Sequence, residues 1–146
     1  MNEPVLRSAH PHDFPFCERL YFAEMGNIIT QLGLDMARQW ESFERQWHEA
    51  EVRIITMSGE DIGWLQTTTT DSSLFLGQLY LSGHMQRQGI GARVLQMLIE
   101  EARRAGKPVT LGVVKINPAH RLYERLGFKR THEDQHKVYM RLEPGG

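Results

Sequence analysis

The stretch Gln86-Arg87-Gln88-Gly89-Ile90-Gly91-Ala92 contains two glycines and leads into the strongest helical pattern of the chain. Apolar residues recur there at helical spacing and predict a helix over residues 88–105, which Gly106 ends. A glycine turn that enters a helix exposes unpaired N–H groups at the positive end of the helix dipole, an arrangement that binds phosphate. The stretch therefore predicts a local anion site, although the same turn would also serve as a plain strand-to-helix connection.

The two glycines lack Cβ atoms, so a pyrophosphate could approach the backbone closely, and Arg87 and Arg93 would add positive charge. No Gly-Lys-Ser or Gly-Lys-Thr follows, which excludes a P-loop. The spacing also differs from the Gly-x-Gly-x-x-Gly of dinucleotide-binding folds.

The flanking patterns predict the element order β-α-α-β-β-β-α-β-α-β-β, and hence an α/β fold with a mixed sheet. Three helices are predicted to begin at the N-caps Asp13, Asp35 and Asn117, the last followed by Pro118. A loop bracketed by Gly26 and Gly33 is predicted between the first two helices. The predicted strands cover residues 4–7, 52–56, 62–70, 73–81, 109–114, 128–131 and 138–142.

Composition predicts one cytoplasmic domain over residues 1–146. The chain is 40% hydrophobic and 24% charged, and its formal net charge of -1 supplies no field that would attract nucleic acid or an anionic membrane. Cys17 is the single cysteine, so no intramolecular disulfide forms and a reducing compartment is favoured. No apolar stretch approaches the ~18 residues of a membrane span. Met1-Asn2-Glu3-Pro4 lacks the basic and apolar regions of a signal peptide.

A second motif follows downstream, and it reads Asn117-Pro118-Ala119-His120-Arg121-Leu122-Tyr123-Glu124-Arg125-Leu126-Gly127-Phe128. It resembles the second signature of the GNAT superfamily of N-acetyltransferases, which ends Ala-x-x-Leu-Tyr-x-x-x-Gly-Phe. The stretch that begins at Gln86 is similar to the first signature, Arg/Gln-x-x-Gly-x-Gly/Ala. Both occur in the family's order, separated by a helix and a strand. The element order matches across nearly the whole chain, although the N-terminal half matches in architecture alone.

The resemblance implies a single GNAT-like domain: a mixed, mostly antiparallel sheet with a central splay, flanked by about four helices. It implies acetyl-CoA as co-substrate and no metal. Backbone groups of Leu79 and Leu81 would pair with the pantetheine, Asn117 would lie near it, and Tyr123 would lie near the thioester sulfur. Asn117 could instead serve only as a helix N-cap, and Tyr123 could instead be only a packed helix residue. The pyrophosphate would be held by Gln86, Arg87, Gln88, Gly89, Ile90, Gly91 and Ala92.

The implied chemistry is direct attack of a neutral amine on the thioester in a ternary complex. The Leu81 N–H would stabilise the oxyanion. Tyrosine has an ordinary pKa of about 10 and a thiol about 8.5, so full proton transfer from Tyr123 to the thiolate would cost about 2 kcal/mol. Tyr123 would therefore donate a hydrogen bond to the developing thiolate, unless its pKa is lowered.

The base that deprotonates the amine is not evident. Many GNAT relatives carry a Glu or Asp on the strand before the glycine turn, whereas Gln78 and Tyr80 stand in that region here. Water is predicted to take the proton. His84 is the first side-chain candidate, because its ordinary pKa of about 6.5 suits neutral pH, and an acid of the first two helices, Glu24 or Glu41, is the remaining option.

Three other features have competing interpretations. His132-Glu133-Asp134-Gln135-His136 spells His-Glu-x-x-His, but it falls in a predicted hairpin and is expected to hold no zinc. Cys17 is expected to be buried rather than nucleophilic. Trp40, Phe43 and Trp47 recur at helical spacing, which is typical of core, although GNAT enzymes build the acceptor site partly from the first two helices.

The leading functional prediction is an N-acetyltransferase for a primary amine of a small molecule, without nucleic-acid or membrane partners. A protein acetyltransferase acting on an N-terminus or a lysine is one alternative, and a non-catalytic acyl-CoA-binding module is another. The family's small members often dimerise, so a homodimer is an option that the sequence leaves open.

Overall fold

The computed structural model describes residues 3–145, and Met1, Asn2 and Gly146 at the ends of the predicted domain lie outside the described residues. Hydrogen bonding links the strands in the order β1-β2-β3-β4-β5-β7-β6. The sheet is mostly antiparallel, and β4 pairs with β5 in parallel, which confirms the predicted α/β class and mixed sheet. The strands are β1 Val5–Ser8, β2 Val52–Met57, β3 Glu60–Thr69, β4 Leu74–Leu81, β5 Val109–Val114, β6 Lys129–Glu133 and β7 Lys137–Leu142. The α-helices are α1 Phe14–Gln31, α2 Met36–Gln46, α3 Ile90–Arg104 and α4 His120–Arg125.

Backbone contacts divide the chain into two units. The first unit comprises the described residues as far as Gln66 together with Gln78–Gln86. The second comprises Thr67–Gly77 and the described residues from Arg87 onward. The prediction of one domain over residues 1–146 stays a prediction.

In the first unit, β1, β2 and β3 pair antiparallel, with Arg7 opposite Ile54 and Ile54 opposite Trp64. The register shifts where Ile55 pairs with Gly63 and the next residue pairs with Asp61, so β3 carries one extra residue, a β-bulge. The core of the unit is built from buried residues of α1, α2, β2 and β3, namely Cys17, Leu20, Phe43, Val52, Ile54 and Trp64, together with Ala9 just after β1.

The start of α1 is fixed by an ion pair. Asp13 is buried and accepts two hydrogen bonds of 2.9 Å from Arg7 on β1 and one of 2.8 Å from the His10 N–H. The Arg7 guanidinium lowers the pKa of Asp13 to about 2. Asp13 therefore occupies the predicted N-cap position, but its carboxylate binds Arg7 and His10 instead of the helix N–H groups.

The predicted loop from Gly26 to Gly33 is wrong over residues 26–31, which are helical. Helix α1 runs through Gly26 as far as Gln31, and Gly33 turns the chain with a φ of +68°. A glycine costs about 1 kcal/mol within a helix relative to alanine, and burial of Ile29 in the following turn opposes that cost. The predicted cap of α2 is confirmed, since Asp35 Oδ1 accepts from the Ala37 N–H at 2.9 Å.

In the second unit, β5 pairs with β7 along its full length and β7 pairs with β6. The predicted apolar stripe of α3 is confirmed, because Ile90, Val94, Leu98 and Ala102 are all buried. This helix begins at Ile90, two residues later than predicted. Arg87 and Gly89 have φ values of +63° and +79°, which a right-handed helix cannot accommodate.

The beginning of α4 also differs from the prediction. The helix starts at His120 with Ala119 as its N-cap, not at Asn117. The Asn117 side chain accepts from the Ala119 N–H at 2.9 Å and so forms a local turn. Bonds of the α-helical i→i−4 type begin with the Tyr123 N–H and the Ala119 carbonyl, at 3.3 Å. Among residues 3–145, no helix is long and apolar enough to span a bilayer.

Candidate active site

The glycine turn lies at the N-terminus of the 15-residue helix α3. Gly89 adopts a left-handed conformation as the N-cap, and the first helical bond joins the Arg93 N–H to the Gly89 carbonyl at 3.1 Å. The N–H groups of Ile90, Gly91 and Ala92 therefore precede the first intrahelical bond. A left-handed residue followed by right-handed residues turns successive N–H groups towards one point, which makes an anion-binding concavity.

The space around the turn is open. A Cβ placed on Gly89 would meet no atom within 4 Å, and residues 87–89 are exposed. Arg87 and Arg93 are exposed as well, so two guanidinium groups flank the positive end of the helix dipole. The backbone of the turn is therefore accessible at Gly89.

The end of β4 directs alternate backbone groups in opposite directions. The Ser82 N–H donates to Ile62 on β3 at 2.8 Å, and the Tyr80 carbonyl points at Gly63 on the same strand. Because neighbouring residues of a strand point their polar groups to opposite sides, Leu79 and Leu81 direct theirs away from β3. Those N–H groups are the ones that the resemblance assigns to pantetheine and to the oxyanion.

Gln86 and Gly63 both contact this end of β4, Gln86 through a hydrogen bond and Gly63 through a close approach that leaves no room for a side chain. The Gln86 side-chain amide donates to the Leu81 carbonyl at 2.9 Å, so its observed contact is with the strand. A side chain at Gly63 would collide with the Tyr80 carbonyl and lie 3.2 Å from the Leu81 Cα. Gly63 was not singled out in the sequence, because its importance depends on a contact with a distant residue.

Tyr123 lies on α4, and its ring meets the ring of buried Phe128 at a centroid distance of 5.7 Å. Burial raises the pKa of Tyr123 to about 12. The hydroxyl therefore stays protonated at neutral pH and can donate a hydrogen bond. Asn117 is a turn-forming residue in this structure, with its side chain bound to the Ala119 N–H.

The candidate bases have separate positions within the first unit. The Tyr80 hydroxyl donates a hydrogen bond to the Gln78 side-chain oxygen, and neither residue carries a carboxylate. His84 is exposed in a short 3-10 helix after β4, and its Nε2 lies 3.3 Å from a Glu60 carboxylate oxygen. Glu24 on α1 is half-buried and Glu41 on α2 is exposed.

An aromatic cluster joins α1, α2, β3 and β4 in the first unit. The Tyr21 ring lies 4.8 Å from Phe43 and 5.5 Å from Tyr80, and the Trp64 ring also lies 5.5 Å from Tyr80. The predicted stripe on α2 is divided: Phe43 is buried core, whereas Trp40 is 48% exposed. Tyr21 and Phe22 were not singled out as site residues in the sequence, because their contacts with α2 and β4 arise only in the folded chain.

Cys17 is fully buried, as predicted, and burial raises the pKa of its thiol to about 12. A thiol that is buried and protonated at neutral pH is a poor nucleophile. The side chain therefore belongs to the core of the first unit.

The His-Glu-x-x-His sequence is split between a strand and a turn. His132 lies on β6 and His136 precedes β7, so they do not share a helix face. The His132 ring stacks on Tyr139 at 4.5 Å, and its Nδ1 lies 2.9 Å from the Thr131 hydroxyl. Within residues 3–145, no three His, Cys, Asp or Glu side chains are grouped as metal ligands.

We expect a chelator to leave the acetyl transfer that the resemblance implies unchanged, because His132 and His136 do not share a helix face and the His132 ring stacks on Tyr139. Activity before and after chelation, together with elemental analysis, would check this. One zinc per chain, with activity that disappears on its removal, would contradict the expectation.

A family model and several solved structures resemble this chain. A sequence model described as the Acetyltransferase (GNAT) family matches residues 15–128. No curated protein sequence matches the chain significantly. The structure of PaiA N-acetyltransferase from Thermoplasma acidophilum in complex with coenzyme A has a TM-score of 0.74 at 18% identity, covering 97% of this chain and 99% of that one.

Two further solved structures are similar. The ribosomal-protein-S18-alanine N-acetyltransferase from Escherichia coli has a TM-score of 0.69 at 21% identity, covering 100% of this chain and 96% of that one. Ard1 from Thermoplasma volcanium has a TM-score of 0.71 at 16% identity, covering 96% of this chain and 97% of that one. At these identities the likeness shows the fold.

Proposed function

The chain belongs to the acetyltransferase (GNAT) family, and on this premise we propose that it transfers the acetyl group of acetyl-CoA to a primary amine of a small molecule. The observation that carries the proposal is the open glycine turn at the N-terminus of α3. Such a turn is suited to a pyrophosphate, which acetyl-CoA contains.

The turn takes the pyrophosphate of the co-substrate. The N–H groups over residues 87–92 donate to the phosphate oxygens, and Arg87 and Arg93 add charge. Gly89 and Gly91 allow the phosphates to approach the backbone without a steric barrier. Gln86 acts by binding the Leu81 carbonyl, and so positions the end of β4.

The pantetheine arm binds along the end of β4. Leu79 and Leu81 are suited to this role because, with the neighbouring Ser82 N–H directed at β3, their own N–H groups point away from β3. The Leu81 carbonyl accepts from the Gln86 amide. Asn117 contributes by shaping the turn before α4, through its bond to the Ala119 N–H. The Tyr123 hydroxyl is then assigned a position near the thioester sulfur, where it can donate a hydrogen bond.

The reaction is direct attack by the neutral amine on the thioester carbonyl. The N–C bond forms, the carbonyl oxygen becomes an oxyanion, and the Leu81 N–H stabilises it. The C–S bond then breaks and the thiolate leaves with a hydrogen bond from Tyr123. The attacking nitrogen loses its remaining extra proton to water, which leaves the neutral amide, and the thiolate takes up a proton from water. Because Tyr123 has a pKa of about 12 and a thiol about 8.5, the phenol donates a hydrogen bond and does not transfer its proton.

Water receives the proton of the incoming ammonium. An alkyl ammonium with a pKa near 10 is only ~0.1% neutral at pH 7, so the proton must leave before attack. Gln78 and Tyr80 supply no carboxylate at the end of β4. His84 is exposed and paired with Glu60.

Replacing His84 by alanine is expected to change kcat/KM by less than about threefold, because water and not the imidazole accepts the proton. The wild-type kcat/KM is expected to keep rising towards the pKa of the amine. A pH profile of both proteins checks this. A loss of about 10²-fold, with disappearance of a limb of the wild-type profile, would assign the base to His84. An acidic limb that is present in both proteins would assign it to a carboxylate such as Glu24 or Glu41.

Release of free CoA thiol against an amine panel tests the proposed function. A thiol reagent is suitable because Cys17, the single cysteine, is fully buried. We expect thiol release that depends on a small-molecule amine. Turnover of peptide N-termini or lysines alone would identify a protein acetyltransferase. Coenzyme binding without turnover of any amine would identify a non-catalytic acyl-CoA-binding module.

A further inference from the structure

Strand β3 has no side chain at Gly63, the point at which it lies against the end of β4 in the first unit. Gly63 is buried between Ile62 and Trp64, which are both fully buried. A Cβ at Gly63 would collide with the Tyr80 carbonyl oxygen and would lie 2.9 Å from Cδ2 and 3.2 Å from Cα of Leu81. Two of these three atoms belong to the backbone of β4, which cannot turn aside as a flexible side chain can. Position 63 therefore has no room for any side chain.

The close approach shows that the Tyr80 carbonyl lies over one face of β3. A Cβ projects out of the plane of the sheet, whereas hydrogen-bonded neighbours lie beside the strand in that plane. An oxygen in the direction of the missing Cβ of Gly63 therefore lies outside the plane. The β-bulge of β3 is at the same point, because Gly63 pairs with Ile55 while Asp61 pairs with the next residue of β2. A bulge bends its strand and increases the local twist.

The position of the Tyr80 carbonyl determines the direction of the Leu81 N–H. The two groups belong to one peptide unit, which is planar and trans, so its C=O and N–H bonds point to opposite sides. Because the oxygen is directed at Gly63, the N–H is directed away from β3. This N–H is the one that the proposed function assigns to the oxyanion.

The peptide unit that follows is held at both ends. Its carbonyl, that of Leu81, accepts from the Gln86 side-chain amide at 2.9 Å. Its N–H, that of Ser82, donates to the Ile62 carbonyl at 2.8 Å. These two bonds oppose a shift of Leu81 as a whole. A methyl group at Gly63 would therefore be accommodated by rotation of the preceding peptide unit, which turns the Leu81 N–H.

We propose that Gly63 is a positioning residue for acetyl transfer, an inference that rests on the proposed function. The missing side chain allows the Tyr80 carbonyl to lie over β3, and this directs the Leu81 N–H at the thioester carbonyl of acetyl-CoA. Gly63 itself touches neither the substrate nor the reacting atoms. A fixed donor stabilises an oxyanion only when it points at the place where the charge develops. A rotated N–H would therefore impair catalysis more than it impairs coenzyme binding.

Gly63→Ala is expected to lower kcat by about 10²-fold, the effect of losing one oxyanion donor. The affinity for free CoA, which has no thioester carbonyl, is expected to change by less than about threefold. Gly112→Ala is the matched control, because a Cβ at Gly112 on β5 would lie 2.9 Å from the Tyr139 ring and is crowded as well. Thermal unfolding is expected to show a loss of stability in both variants, and kcat is expected to stay at the wild-type level in Gly112→Ala.

Wild-type kcat in a folded Gly63→Ala protein would overturn the inference and leave the proposed function intact. An equal fall of kcat in Gly112→Ala would assign the effect to general destabilisation and would also overturn it.

The NMR signal of the Leu81 amide proton provides a readout that does not depend on turnover. In the wild type it is expected to shift more on addition of acetyl-CoA than on addition of CoA, because only acetyl-CoA supplies a carbonyl oxygen to this N–H. The difference is expected to disappear in Gly63→Ala and to persist in Gly112→Ala. If no amine is acetylated but this pattern holds, the proposed function fails and the positioning role of Gly63 stands. Equal shifts with the two ligands in the wild type would overturn the inference, even if Gly63→Ala does not fold.

Discussion

Replacing Gly89 by glutamate is expected to weaken acetyl-CoA binding by ~10²-fold or more, which corresponds to about 3 kcal/mol. A Cβ at this position meets no protein atom, so the new side chain would occupy the open space assigned to the pyrophosphate. Its negative charge would face the phosphates at the N-terminus of α3, where the dipole otherwise favours anions. Equilibrium binding of acetyl-CoA measures the effect. Gly91→Glu is expected to act in the same direction.

Gly106→Glu is the matched control for this variant. Gly106 lies just beyond the other end of α3, has a φ of +69°, and likewise has open space around its Cβ position. A left-handed non-glycine residue costs about 1–2 kcal/mol, so both variants are expected to lose a similar amount of folding stability. Thermal unfolding would show this loss. We expect normal coenzyme affinity in Gly106→Glu. Unchanged affinity in a folded Gly89→Glu protein would remove the pyrophosphate from this turn.

Tyr123→Phe is expected to lower kcat by about 10- to 10²-fold, the loss of a hydrogen bond of about 1.5–3 kcal/mol to a charged group. The affinity for acetyl-CoA is expected to change little, because the hydroxyl acts mainly when charge develops on the sulfur. The ring and its contact with Phe128 are retained in the variant. Steady-state kinetics and coenzyme binding together separate the two effects.

Tyr139→Phe is the control, because its hydroxyl donates to Asp134 in the hairpin of the same unit. Wild-type kcat is expected there. Since burial raises the pKa of Tyr123 to about 12, its hydroxyl remains protonated as the pH rises to that value. No falling limb from Tyr123 is therefore expected in the wild-type profile below about pH 10. Wild-type kcat in Tyr123→Phe would make Tyr123 a packing residue.

Local patterns predicted the parts of the structure that depend on neighbouring residues. The bounds of β5 agree at both ends, the stripe of α3 is buried, and Asp35 caps α2. The glycine turn lies at the start of α3, as predicted, and the structure adds that Gly89 is left-handed with open space around it. Each of these depends on a few consecutive residues, so the sequence alone contains the information.

Features that depend on distant residues could not be predicted. Asp13 binds Arg7 instead of capping α1, because a charged partner on β1 offers stronger hydrogen bonds than the helix N–H groups. The crowding at Gly63 arises from the Tyr80 carbonyl, and the ring contact of Tyr21 with Tyr80 joins α1 to β4. Tertiary packing creates these relations, and no local periodicity signals them.

The fate of an isotopically labelled acetyl group tests the central proposal most directly. The protein is mixed with acetyl-CoA labelled in the acetyl carbons and with a small-molecule amine, and mass spectrometry follows both the amine and the protein. Direct transfer predicts that the label appears as an amide on the amine and that the protein carries none, in keeping with the buried thiol of Cys17. A label that never reaches any amine, or that remains bound to the protein, would contradict the account.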